Sequence, residues 1–408
     1  MGIIDGVDPL TFRKLADDEL RAAAIVFCQT CHFSPPTDEE WAYSARSYQR
    51  DRTFGAFDGD TLVGTAYAFD SSLTVPGGLA LPMAAVTRVG VRTDHTRRGA
   101  LSQLMRLQLE SAVDNGMVFA GLRASETVIY GRFGYGIGTL ANVVKVQRRQ
   151  AVLRPEVPTG GVVRLLDVEA AMALLPPVYE AMRSDRPGLM GRPPPWWVLG
   201  YERRMRADGL LAAAHYDESG AIDGFLSYGT EPSRSGDPHA GAVLTALDFQ
   251  AANQPAANDL WRFLLGVDLV DEIVVYVRPT DDPIDAMLVD LFMCRGERED
   301  ELWLRIVDVP AALAARTYAG DPVVIEVRDP LLANNSGRYL VSPQGTERTA
   351  APAELVLDVD VLAMLYLGAW RASDLVGVGR LAAPDPSAPA RADRLFAVDR
   401  PAWSGTLF

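Results

Sequence analysis

The sequence is poor in the residues that staple or metallate a fold. Three cysteines, Cys28, Cys31 and Cys294, are too few for a disulfide framework. Cys28-Gln29-Thr30-Cys31 followed by His32 has the spacing of a c-type haem attachment or a dithiol pair. It falls in the first predicted helix, with no second pair and no thioredoxin-like context, and is read as neither. The four histidines form no ligand pair at helical spacing, so no metal is expected. No apolar run reaches about 18 residues, the length a membrane span needs. The start, Met1 to Asp5, lacks the basic flank and apolar stretch of a signal peptide. A cytoplasmic protein with no membrane partner is expected. No GxxxxGK(S/T) string is present, which removes a P-loop kinase. Positive charge is in deficit: the formal net charge is -14. That argues against nucleic acid, whose binding is dominated by Lys and Arg on phosphates. It suits a cationic small-molecule amine drawn to an acidic surface, and equally plain solubility.

What is present is length and pattern. A chain of 408 residues, at about 150 per domain, makes two to three domains. The most informative stretch runs from Val89 to Leu104. Ala85–Val91 is rich in β-branched residues and reads as a strand. Leu101, Leu104, Met105, Leu109 and Ala112 recur at helical spacing, and Gly116 follows Asn115 as a stop. Between them, Arg97-Arg98-Gly99-Ala100 sits where the first N–H groups of the helix have no intrahelical acceptor. Such an end, with its positive dipole, attracts phosphate. Gly99 lets an anion approach the backbone, and the arginines add charge. A surface turn with solvated arginines is the alternative.

The loop resembles the pyrophosphate loop of the GNAT superfamily of N-acetyltransferases, whose pattern is Gln/Arg-x-x-Gly-x-Gly/Ala. Thr96 and Leu101 depart from it. The order around it matches too. Helices are predicted from Asp17 and Thr37, the latter with a capping-box order to Glu40. Strands follow at Arg52–Phe57 and Thr61–Ala68 about an Asp58-Gly59 hairpin. Leu73–Gly77, Ala124-Ser125-Glu126 and Ile129-Tyr130-Gly131-Arg132-Phe133-Gly134-Tyr135-Gly136 are similar to the enhanced intracellular survival (Eis) acetyltransferase family.

The resemblance implies an α/β (α+β) chain of two tandem GNAT-like folds followed by a sterol-carrier-like C-terminal domain. The expected segments are 1–153, catalytic; 154–300, a degenerate second fold; and 301–408, the sterol-carrier-like module. Gln250–Pro255, which follows the Ala242–Phe249 strand, has neither arginine nor glycine, so no second cofactor site is expected there. By the resemblance, acetyl-CoA lies along Val89, Gly90 and Val91. Its pyrophosphate rests on Arg97, Arg98, Gly99, Ala100, Leu101 and Ser102. Ser125 and Glu126 line it. Tyr130 is the general acid, the C-terminal carboxylate of Phe408 the general base, and a hexamer the assembly. A phenol near pKa 10 stays protonated at neutral pH and can serve a departing thiolate. Trp41 is a candidate wall of the substrate pocket or a core residue. A lipid or acyl carrier with vestigial acetyltransferase folds is the alternative function. Two degenerate dinucleotide fingerprints, at Gly136–Ala141 and Gly377–Ala382, lack a clear preceding strand in a βαβ unit and are read as turns or helix-packing glycines.

Overall fold

The computed structural model describes residues 9–233 and 241–408. The reading of Met1 to Asp5 lies outside them. Three sheets organise the chain.

The first sheet orders its seven strands as Thr11–Lys14, Thr53–Asp58, Thr61–Thr74, Ala80–Val91, Phe119–Leu122, Trp303–Ile306 and Gly136–Ile137. Its hairpin turns at Gly59, whose φ of 58° is the left-handed value such a turn needs. Strands 80–91 and 119–122 are parallel and joined by the helix Ala100–Asp114. That helix buries Leu104, Met105, Leu109 and Ala112. Each buried leucine or methionine of this kind contributes about 1.5–3 kcal/mol. The Thr37–Glu40 capping box closes as its order predicts.

The second sheet runs Cys294–Asp300, Leu140–Gln147, Val270–Pro279, Ala242–Ala251, Ile222–Glu231, Leu211–Asp217 and Gly161–Leu166. Its order repeats the first, with helix Gln254–Leu265 between the parallel strands 242–251 and 270–279. The third sheet, four strands from Val323 to Asp358, packs on helices Val359–Tyr366 and Ala388–Leu395.

The sheets exchange strands. Strand 140–147, inside the expected segment 1–153, pairs with 270–279 and 294–300 in the second sheet. Strand 303–306, inside the expected segment 301–408, lies between 119–122 and 136–137 in the first. The linear cuts at 153/154 and 300/301 therefore do not follow sheet membership. Hydrogen bonding between distant segments decides it, and local pattern carries no record of that. Gly136 is a packing glycine: an added Cβ would lie 2.0 Å from the Asp360 carbonyl oxygen.

Candidate active site

The site begins where two parallel strands part. Strand 80–91 pairs with 119–122 only over Met83–Ala85. Beyond Ala85 its other edge still pairs with 61–74, out to Val91 opposite Gly64. One edge of Val86–Val91, including Val89, Gly90 and Val91, thus faces a slot with no strand on it. A Cβ at Gly90 would meet the Thr30 side chain at 2.9 Å, so the end of helix Leu20–Thr30 walls this region.

The strand leads straight into the loop. Arg97 (φ 64°) and Gly99 (φ 84°) are both left-handed. Gly99 caps the 100–114 helix without a side-chain bond. The first intrahelical bond runs from the Gln103 N–H to the Gly99 carbonyl. The N–H groups of Ala100, Leu101 and Ser102 therefore precede the hydrogen-bond ladder. Arg97 is exposed. Arg98 instead reaches back to Asp58, at 2.8 Å, where His95 also sits at 3.0 Å. Arg98 first, and His95 second, hold the Asp58 carboxyl below the usual carboxylate range.

Tyr130 ends the short helix Thr127–Tyr130 and is buried with Met105, Phe133 and Tyr135. Burial pushes its phenol above the ordinary value, opposed by a hydrogen bond with Ser125. Ser125 and Tyr130 are thus brought together, whereas Glu126 is an exposed N-cap residue. The neighbouring thiols of Cys28 and Cys31 are both raised by burial.

A cavity of about 610 Å³ opens between the first two sheets. Phe27, Tyr67 and Phe69 line one side; Trp196, Tyr201 and Phe408 line the other. The Phe408 ring stands edge-on to Phe69, with centroids 5.9 Å apart. Trp41 is not among its lining residues; it stacks on Tyr48 at 5.8 Å, one layer back.

The chain end is held along its length. Glu301 accepts the N–H groups of Ser404 (2.9 Å) and Gly405 (2.7 Å). The Gly405 carbonyl accepts from Arg192 (2.8 Å) and Gln250 (3.0 Å), and the Leu407 carbonyl from the Trp196 indole (2.8 Å). Arg192 is itself fixed by a fork on Asp248, at 2.7 and 3.0 Å. Sequence reasoning missed this grip. An arginine in a proline-rich loop and a lone glutamate after a polar strand carry no local signal.

The second fold's corresponding opening is filled by the protein. Strands 242–251 and 270–279 pair only as far as Ala246 and Val275. Beyond that, the Phe249 carbonyl takes Arg278 (2.7 Å) and the Val277 carbonyl takes the Trp403 indole (2.6 Å). Helix 254–265 is capped by Asn253, whose side chain accepts the Ala256 N–H. The first fold offers an open slot and an uncapped helix; the second offers neither.

A parted strand pair feeding an uncapped glycine turn defines a GNAT-type acyltransferase. The acetyltransferase (GNAT) domain family matches residues 11–138, and a second acetyltransferase (GNAT) domain family matches 188–306. A sterol carrier protein domain matches 309–405. The N-acetyltransferase Eis of Mycobacterium tuberculosis is 36% identical over 369 residues, covering 87% of this chain and 88% of the relative. An uncharacterised N-acetyltransferase of Streptomyces coelicolor is 37% identical, covering 86% and 88%. Among solved structures, Eis1 from Mycobacterium abscessus superposes with a TM-score of 0.85 at 37% identity, covering 98% of this chain and all of that one. The chain belongs to the Eis family of N-acetyltransferases and is an enzyme of that class. Among the described residues, no helix is long and apolar enough to cross a membrane.

Proposed function

We propose that the protein moves the acetyl group of acetyl-CoA to a primary amine by direct attack, with segment 1–153 catalytic, 154–300 shaping the cleft and 301–408 delivering the tail. The observation that carries this is the continuity of the free edge at Val86–Val91 with the uncapped turn at Gly99. Acetyl-CoA supplies an activated acyl thioester. The backbone of Val89, Gly90 and Val91 orients its arm, as an added strand would. The N–H groups of Ala100, Leu101 and Ser102, with Arg97, Arg98 and Gly99, receive the pyrophosphate. Ser125 and Glu126 flank it. Tyr130, a phenol that is protonated at neutral pH and that burial raises further, donates to the departing thiolate.

The Phe408 carboxylate takes the proton of the incoming ammonium. An α-carboxylate near 3.5 is a weak base for an ammonium near 10, so the role needs partial desolvation or a relaying water. The half-buried Phe408 at the end of an anchored tail supports that. Aminoglycosides, polyamines and lysine side chains are the acceptor classes to screen. A cytoplasmic hexamer follows by family likeness; exposed Leu269, Val289, Leu291 and Phe292 suit a subunit contact.

The carrier alternative is weaker. The interior of the C-terminal module is occupied by its own Ile325, Leu355, Leu362, Tyr366 and Leu395. Calorimetry with acetyl-CoA should give one site per chain, and two sites would overturn the reading of residues 154–300. Tyr130→Phe should lower kcat far more than it weakens acetyl-CoA binding; unchanged kcat removes the acid role.

A further inference from the structure

The spacing of Cys28 and Cys31 gains a context in the fold. Helix Leu20–Thr30 ends in a Schellman turn: the Phe33 N–H donates to the Cys28 carbonyl at 2.8 Å and the His32 N–H to the Gln29 carbonyl at 3.4 Å. The left-handed residue of such a turn is usually glycine; here it is His32, with φ at 59°. Cys28 and Cys31 thus share the closing turn, three residues apart on one face. In a helix this spacing sets the Cα atoms roughly 5 Å apart, inside the range of about 4.4–6.8 Å that a disulfide spans. Both thiols are free and half-buried.

Their surroundings join the two halves of the candidate site. Cys28 lines the cavity between the first two sheets. Thr30, between the cysteines, carries the side chain that a Cβ at Gly90 would meet at 2.9 Å, so it borders the slot. Its hydroxyl donates to the Val26 carbonyl at 2.9 Å. Cys31 lies on the Tyr130 side, close enough for its charge to act on the phenol. Burial raises both thiols first. At Cys28 the Arg88 guanidinium opposes that, with Glu40 a smaller cause in the other direction; at Cys31 the neighbouring Cys28 adds to it. Cys28, reached from the cavity and beside a cation, is therefore the thiol that attacks.

Resting for its cofactor half on the acetyltransferase reading, we propose that Cys28 and Cys31 are a modification site: a low-molecular-weight disulfide converts them to one intramolecular disulfide, and that disulfide opposes acetyl-CoA binding. The Cys28 thiolate attacks one sulfur of the reagent, and the other sulfur leaves as a thiol. The Cys31 sulfur gives up its proton and displaces the second thiol from Cys28. Two protein thiols are oxidised, and one disulfide is reduced to two thiols. Helical side chains at this spacing stand about 5–6 Å apart at Cβ, whereas a disulfide needs about 3.5–4.5 Å. The turn tightens and shifts Thr30 beside Gly90, which reshapes the edge along which the acetyl-CoA arm lies.

The test uses the full chain with Cys294→Ser, which removes the third thiol. Oxidised glutathione should yield a protein two hydrogens lighter, with Cys28 and Cys31 joined within one peptide by mass spectrometry. With Cys31→Ser added, the reaction should stop at one glutathione on Cys28. By calorimetry the reduced protein should bind acetyl-CoA about tenfold or more tightly than the oxidised one. Linkage then requires that saturating acetyl-CoA raise the reduction potential of the pair by about 30 mV for each tenfold. Persistent thiols, or glutathione left on Cys28 in the protein that keeps Cys31, overturn the modification site. Equal affinity of the two forms overturns its opposition to acetyl-CoA. Should neither form bind acetyl-CoA, the cofactor reading fails by itself, and the mass measurement still decides for or against the dithiol.

Discussion

Removing the Glu301 carboxylate is the most direct test of the tail. Its oxygens accept the N–H groups of Ser404 and Gly405 and the Thr139 hydroxyl, the last at 2.8 Å. Glu301, Ser404 and Thr139 are each 1% exposed or less. Glu301→Ala leaves two buried backbone donors without acceptors, at about 1–3 kcal/mol each, so roughly 2–6 kcal/mol together. The docked tail then loses a factor of about 30 to 10⁴ against an undocked one. Arg192, Gln250 and Trp196 still hold Gly405 and Leu407, so the loss appears as local opening rather than global unfolding. Amides of 403–408 should exchange faster, kcat should fall by about tenfold or more, and acetyl-CoA affinity should hold. Fast exchange at 403–408 with full kcat would refute the tail's part in the chemistry. Glu301→Gln adds a pH test. Burial raises the Glu301 carboxyl above its ordinary value. Its stabilising contribution is therefore fully present below about 4.3 and is lost as pH rises through the raised folded value. Glutamine is neutral throughout. The unmodified protein should gain Tm relative to Glu301→Gln as pH falls toward 4, and a pH-independent difference would reverse the assignment.

Gly136→Ala puts a Cβ 2.0 Å from the Asp360 backbone oxygen and 3.0 Å from Met364. Backbone must move, so thermal melting should show a loss of about 1–3 kcal/mol or more; an unshifted Tm removes this glycine's packing role. The raised Tyr130 phenol keeps its proton past pH 10, so kcat should show no fall assignable to Tyr130 below that. A fall near pH 9 that Tyr130→Phe abolishes would contradict it. Residues 1–153 expressed alone lack strand 303–306 and carry strand 140–147 without its partners. Two unpaired strands invite association, and light scattering should find aggregates where a monodisperse, acetyl-CoA-binding domain would disprove the exchange.

Local chemistry was legible wherever a residue type acts on its own neighbours. The Asp58-Gly59 hairpin, the Thr37 capping box and the apolar stripe of the 100–114 helix each follow from a few adjacent residues. The strand Cys294–Asp300 was not legible, because its CRGERED sequence reads as a solvated loop and becomes a strand only as an edge beside 140–147. The strands Gly337–Ser342 and Gly345–Arg348 were missed too. The pairing of Arg98 with Asp58, 40 positions away, leaves no local sign in the sequence. The bulge in strand 80–91, where Arg88 and Val89 stand opposite Ala66, depends on register with strand 61–74. An alternating pattern carries no sign of it.

The tail meets the two folds of one order in different ways. Trp403 enters the parted strands of the second sheet and takes the Val277 carbonyl. With Arg278 on Phe249, that opening is closed to any arm that would add there as a strand. Five residues on, Phe408 stands against Phe69 at the cavity of the first fold. One short segment thus fills the opening of the second sheet and reaches the cavity beside the first. The two are linked through Glu301, which ties Ser404 and Gly405 to the chain just before strand 303–306 joins the first sheet. On the proposed function, the second fold would act on the chemistry by anchoring the segment that ends at Phe408.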